Sequence, residues 1–141
     1  MKKAFTMVEL VFVIVVIGIL SAVAIPKLAP ILNSAKDSKA KEILSSVRSS
    51  ISTERQKQIL SGDYGDVNIT NDTGRVFTNY DNNNSHRVLN YDLKDCTHKG
   101  CWHYDSTNKQ YNYYGSKTCT FEVDGGRFVD KTTGGCTDLV D

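Results

Sequence analysis

Hydrophobic and polar positions divide this chain into three stretches of different period. From Phe5 to Ile25 the side chains are apolar or small, and the only charge among them is Glu9. A bilayer core of ~30 Å is crossed by about 20 apolar residues in a helix, so residues 5–25 predict a membrane-spanning helical half. From Lys27 the pattern turns amphipathic. Leu28, Ile31, Leu32, Ala35, Ala40, Ile43, Leu44, Val47 and Ile51 recur at spacings of three and four and share one face. Lys36, Asp37, Lys39, Lys41, Glu42, Arg48 and Glu54 largely take the other faces. Residues 26–61 therefore predict a second, amphipathic half of the same helix. Ser61-Gly62-Asp63 supplies its stop, because glycine accepts the left-handed conformation of a C-terminal cap. Pro26 and Pro30 are too few to divide the helix; Pro26 predicts a kink or local melting where it leaves the bilayer.

After Gly62 the helical period is lost. Residues 62–95 are rich in Asn, Asp, Gly, Ser, Thr and Tyr, including the tract Asn79-Tyr80-Asp81-Asn82-Asn83-Asn84-Ser85. They read as a polar connecting region with short strands at most, one of them around Arg75-Val76-Phe77. Residues 96–141 carry alternation of period two at Cys101–Tyr104, Gln110–Tyr114, Thr118–Val123 and Arg127–Asp130. The turns are Asp105 to Lys109 and Asp124-Gly125-Gly126. The expected fold class is α+β: a long N-terminal helix packed on a small C-terminal antiparallel sheet, with the helical face from residue 27 onward covering the sheet.

Charge and composition narrow the function. The 141 residues suit one small domain with an anchor, and the formal net charge is +1. Without Lys2 and Lys3, the seventeen basic side chains become fifteen against sixteen acidic ones. No broad basic patch follows, and no direct nucleic-acid binding is expected. Lys2 and Lys3 hold the N-terminus on the cytoplasmic side, which puts the body across the membrane. Ala22-Val23-Ala24 would also fit a discarded secretory signal, but the apolar run is longer than the ~7–15 residues of such a signal. An acid at its head only weakens a disposable signal. Glu9 itself costs about 2.5–3.5 kcal/mol near a bilayer centre and less near the edge, so it calls for a partner. Nothing points to an enzyme, since the chain has no G-x-S-x-G elbow, Walker loop or H-E-x-x-H helix. His86, His98 and His103 read as surface or sheet-edge residues. Trp102, Tyr104, Tyr111, Tyr113 and Tyr114 read as cross-strand aromatic pairs rather than a binding stripe.

The run Lys2-Lys3-Ala4-Phe5-Thr6-Met7-Val8-Glu9-Leu10 with its apolar sequel resembles the N-terminus of type IV pilins and of the pseudopilins of type II secretion and DNA-uptake (competence) machines. The resemblance implies that residues 1–4 are a cytoplasmic leader, cut by a prepilin peptidase between Ala4 and Phe5, with Phe5 then N-methylated. Ala4 stands where the family usually has glycine. The resemblance also implies an inner-membrane subunit with its body in the periplasm, extracted into a filament of like or unlike pilin-type subunits through a membrane assembly platform. Glu9 would neutralise the Phe5 ammonium of a neighbouring subunit, with Thr6 assisting by a hydrogen bond. A pseudopilin is the expected role. The alternatives are a pilus subunit for adhesion or motility, and a membrane-anchored periplasmic binding module that never polymerises.

Cys96, Cys101, Cys119 and Cys136 lie in the exported body, where an even cysteine count signals disulfides, and four cysteines allow three pairings. Cys96–Cys101 with Cys119–Cys136 is favoured, the second resembling the C-terminal disulfide loop of many type IV pilins. Cys96, His98, Cys101 and His103 also resemble a compact zinc cluster, with tighter spacing than common zinc modules and in a compartment that oxidises thiols. No cofactor is expected and no metal is assigned; the loop aspartates offer oxygens for calcium without an alignable ligand set. Asn68 and Asn83 stand in N-x-[ST] tripeptides, each with an aspartate two residues earlier, as in the extended bacterial N-glycosylation sequence.

Overall fold

The computed structural model describes residues 5–80 and 83–140. It comprises two compact units, one ending at Ser34 and one beginning at Ala35, and helix α1 (Met7–Leu60) contributes to each. Thr6 caps its start: the Glu9 backbone N–H donates to Thr6 Oγ1 at 3.3 Å and the Leu10 N–H to the Thr6 carbonyl at 3.2 Å. Thr6-x-x-Glu9 has the spacing of a capping box, and an acid in the first turn complements the positive end of the helix dipole. The helix ends in a Schellman motif. Gly62, at φ +83°, donates to the Ile59 carbonyl at 3.1 Å, and Asp63 N–H donates to the Gln58 carbonyl at 2.9 Å.

In the first unit the helix continues through Pro26 and Pro30. Each ring withholds one amide from the ladder, at the carbonyls of Ala22 and Pro26. Residues on both sides stay helical, so of the kink or local melting expected at Pro26 the helix shows no break.

In the second unit one stripe of α1 turns inward: Ala40, Ile43, Leu44, Val47 and Ile51, followed by Glu54 and Gln58. Leu28, Ile31 and Leu32, in the first unit, are exposed, and the buried apolar stripe of the second unit begins at Ala40. One expectation is corrected here. Glu54, expected outside, is 8% exposed, because it lies three residues beyond Ile51 on the buried stripe.

Residues 62–95 form β1 (Ile69–Thr70), β2 (Arg75–Val76), β3 (Asn79–Tyr80), β4 (Asn83–Arg87) and β5 (Leu93–Lys94). They pair as a β1-β3-β4 sheet and a β2-β5 ribbon, both antiparallel. This region is polar in composition but not peripheral. Val67, Ile69, Val76, Phe77, Tyr80, Val88 and Leu89 are all buried in the one core.

The C-terminal sheet is a four-stranded meander of β6 (Cys101–Asp105), β7 (Gln110–Tyr114), β8 (Thr118–Asp124) and β9 (Arg127–Asp130). Register places Trp102, Tyr113 and Cys119 on the inner face, with Tyr104, Tyr111 and Phe121 one step along. The outer face carries His103, Asn112 and Thr120 in line. The sheet thus packs one face on α1 and leaves the other wet, as antiparallel sheets commonly do. A short α2 (Thr137–Val140) closes the chain and buries Leu139.

Candidate functional site

The apolar head of α1 is the first candidate. Phe5, Val8, Phe12, Ile19, Leu20 and Ile25 are between 64% and 82% exposed. The helix is long and apolar enough to cross a membrane, and none of its most apolar stretch is buried. Leaving such a surface in water is costly at ~25 cal/mol per Å². A lipid bilayer or other apolar helices are the environments that relieve it. Glu9 stands exposed in the first turn, three residues from its capping partner Thr6. Phe5 is at the very start of the described chain, and Ala4, the residue expected before the cut, lies outside the described residues. Sequence periodicity did not single out Thr6 as a cap, although its spacing from Glu9 carries that signal.

The second unit is held by polar ties as well as by its core. Tyr113 Oη donates to Asp37 Oδ1 at 2.9 Å and Ser116 Oγ to Asp37 Oδ2 at 3.0 Å, clamping α1 to β7 and its turn. Arg48 Nε donates to the Phe128 carbonyl at 3.2 Å. Burial pushes the Tyr113 phenol up, and the adjacent Asp37 carboxylate adds to the effect. Burial does the same at Tyr111, against the hydrogen bond it receives from Asn71. Both phenols remain protonated donors or acceptors throughout the physiological range.

The aromatic residues are structural. Phe77 stacks on Tyr111 at 4.6 Å and meets Trp102 and Phe128 edge-on at 5.3 and 5.6 Å. Phe121 stacks on Phe128 at 5.3 Å. Phe77 holds a left-handed backbone, φ +55°, unusual for a bulky side chain. Asn71 secures it: Oδ1 accepts the Phe77 N–H at 2.8 Å while Nδ2 donates to Tyr111 Oη at 2.8 Å. A polar tripeptide in a short loop gives no periodic signal for such a clamp.

The cysteines pair as Cys96–Cys101 and Cys119–Cys136. Cys119 is on the inner face of β8, and Cys136 is buried beside it. Asp130 organises the segment between: Oδ1 accepts the Thr132 N–H at 2.8 Å and Oδ2 the Cys136 N–H at 2.7 Å. Burial works to raise this carboxyl, but those hydrogen bonds and the Arg48 charge outweigh it and hold it below the usual carboxylate range. The ligand atoms of Cys96, His98 and Cys101 lie within 4.8 Å of one another. With the two sulfurs bonded to each other, however, no thiolate is available to a metal. His103 Nδ1 faces Asp95 Oδ1 at 2.6 Å, and His86 Nδ1 faces Glu54 Oε1 at 3.4 Å. Asn68 is exposed just before β1, whereas Asn83 falls within β4 rather than in a loop.

The chain is similar to a fimbrial protein of Moraxella nonliquefaciens, 34% identical over 83 residues of alignment that cover 48% of this chain and 54% of that protein. This chain thus spans about half the length of that relative. The similarity supports a pilin-type family, in agreement with the α+β layout of a long N-terminal helix on an antiparallel sheet. No family model matches the chain, and no solved structure matches it.

Proposed function

We propose that the chain is a structural subunit of a type IV pilin-like filament, assembled from the bacterial inner membrane. The observation that carries this reading is the wholly exposed apolar head of α1 with one carboxylate, Glu9, in its first turn. Before assembly the helix waits in the bilayer with the body in the periplasm. Prepilin peptidase cuts between Ala4 and Phe5 and methylates Phe5. An inner-membrane platform then adds the subunit to the filament, where apolar helices bundle together. In that low-dielectric bundle an unpaired carboxylate or ammonium is costly. Pairing Glu9 with the Phe5 ammonium of a neighbour selects one register.

Glu9 also occupies a capping position, so its two roles need separating. Glu9→Gln keeps a hydrogen-bonding side chain at the helix start but removes the charge. Filament incorporation is expected to fall at least tenfold in Glu9→Gln, with membrane insertion and helix content unchanged. Wild-type incorporation of this variant, measured by crosslinking and shear fractionation, would refute the mechanism.

Within this class the small body and the retained acid favour a pseudopilin of a type II secretion or DNA-uptake machine. The pilus reading is favoured by the fimbrial relative and by the Cys119–Cys136 closure of the C-terminal segment. Deleting the gene decides between them. Loss of secretion or transformation without loss of surface fibres supports the pseudopilin, and loss of fibres built mainly of this chain supports the pilin.

A further inference from the structure

We propose that Asn68 is an acceptor for an N-linked glycan and that the groove beside it seats the first sugar. Three asparagines begin N-x-[ST] tripeptides: Asn68, Asn71 and Asn83. The structure separates them. Asn71 has both ends of its amide engaged, the oxygen by the Phe77 N–H and the nitrogen through one N–H to the Tyr111 hydroxyl. Asn83 is inside β4, its backbone in register with Tyr80 of β3. Asn68 is exposed and outside any strand.

Its surroundings suit an enzyme that must grip the tripeptide in an extended, opened form. Residues 63–68 form no helix or strand, and β1, which holds Thr70, is only two residues long and lies at the edge of its sheet. An edge strand of that length opens locally at little cost. The Thr70 hydroxyl, the group the tripeptide requires, makes one long bond, 3.3 Å to the Asn79 carbonyl. Asp66, the acid two residues before Asn68, has a side chain 66% exposed.

The second observation is the groove. An open cleft of about 420 Å³ begins at Asn68 and is lined by Thr70, Asn71, Tyr104, Lys109 and Glu122 among others. An aromatic face bordered by amide, ammonium and carboxylate groups matches a sugar ring, which offers apolar C–H faces and a rim of hydroxyls. A glycan on Asn68 would lie along this cleft rather than project freely.

The donor class is a polyprenyl diphosphate-linked oligosaccharide. The Asn68 amide nitrogen bonds to C1 of the reducing-end sugar, the C1–O bond to diphosphate breaks, and polyprenyl diphosphate leaves. One amide proton passes to solvent, and no electrons are exchanged. The proposal rests on the reading that the body lies outside the cytoplasm, where such transfer takes place.

The test is intact-mass spectrometry of the full chain purified from its own cells. One glycan's mass is expected above that of the processed polypeptide, lost in Asn68→Gln and Thr70→Ala, and kept in Thr70→Ser and Asn83→Gln. An unmodified mass overturns the proposal, as does an increment that survives Asn68→Gln. The same spectrum reads the N-terminus, so an unglycosylated chain starting at methylated Phe5 sinks the glycan and leaves the filament reading standing. Asn68→Gln removes an exposed side chain, so its melting temperature serves as the folding control.

Discussion

At the scale of single residues, the second unit depends on a few polar side chains that each satisfy two buried groups. Asn71 is the sharpest case. Removing its amide in Asn71→Ala strands the Phe77 N–H and the Tyr111 hydroxyl, at about 2–3 kcal/mol. It also frees a Phe77 backbone whose left-handed conformation costs roughly 1–3 kcal/mol and is tolerated only while held. Denaturant unfolding should show that loss, while Asn68→Ala, at an exposed position, stays within about 0.5 kcal/mol of wild type. Asp130 gives a pH signature. Its folded pKa lies below the ordinary aspartate range, so its stabilisation is full above the unfolded pKa and is lost as pH falls through the folded one. Wild-type stability should therefore decline below about pH 4, and Asp130→Asn should flatten that limb. At neutral pH the variant should be weaker by about 1.5 kcal/mol, the low end for bonds to a charged group that is partly wet. An unchanged acid limb in Asp130→Asn would show that other carboxylates set it.

At the scale of elements, the two disulfides close loops of different length, and this predicts different stabilities. Cys119–Cys136 spans 17 residues and Cys96–Cys101 spans 5. On the chain-entropy model their contributions are about 3 and about 2 kcal/mol. The longer one also ties the segment carrying Leu139 to the inner face of β8. Cys119→Ser with Cys136→Ser should lower the midpoint of unfolding more than Cys96→Ser with Cys101→Ser, and the reverse order would contradict the model.

The same elements show what a reader of sequence can reach. α1 and the β6–β9 meander are long enough to display periods of 3.6 and 2, and the Gly62 stop sits where its φ requires glycine. β1, β2, β3 and β5 have two residues each, too few to display any period. The burial of Val67, Phe77 and Leu89 within a polar region is therefore not legible in the pattern. The cysteine pairing favoured from the sequence, Cys96–Cys101 with Cys119–Cys136, is the one the structure holds. The apolar head with Glu9 is legible because it needs only local composition. The Asn71 clamp is not, because its partners lie 6 and 40 residues away.

At the scale of the whole molecule, the proposed path from membrane to filament depends on the cut after Ala4. The uncut chain would carry Lys2 and Lys3 ahead of the apolar helix. Drawing two ammonium groups into a bundle of apolar helices costs several kcal/mol, at ~2.5–3.5 kcal/mol for each at a bilayer centre, unless they reach water. On that reading they would reach water at the cytoplasmic face of the bilayer, which would leave the unprocessed chain stable as a membrane protein and unfit as a filament subunit. A bulky or charged residue at position 4, as in Ala4→Glu, should therefore block the cut, since the site resembles those read for a small side chain. Ala4→Gly should be cut at least as well as wild type. Unprocessed Ala4→Glu is expected to accumulate in the inner membrane with both disulfides formed, because on the proposed topology the body would fold on the far side whatever the state of the leader. It should be missing from sheared filaments. N-terminal mass spectrometry of membrane-extracted protein checks each step. A wild-type chain starting at methylated Phe5 is the expected result. A chain starting at Ile25, after Ala22-Val23-Ala24, would mean that the apolar helix is discarded, leaving no helix to bundle and no place for Glu9 in assembly.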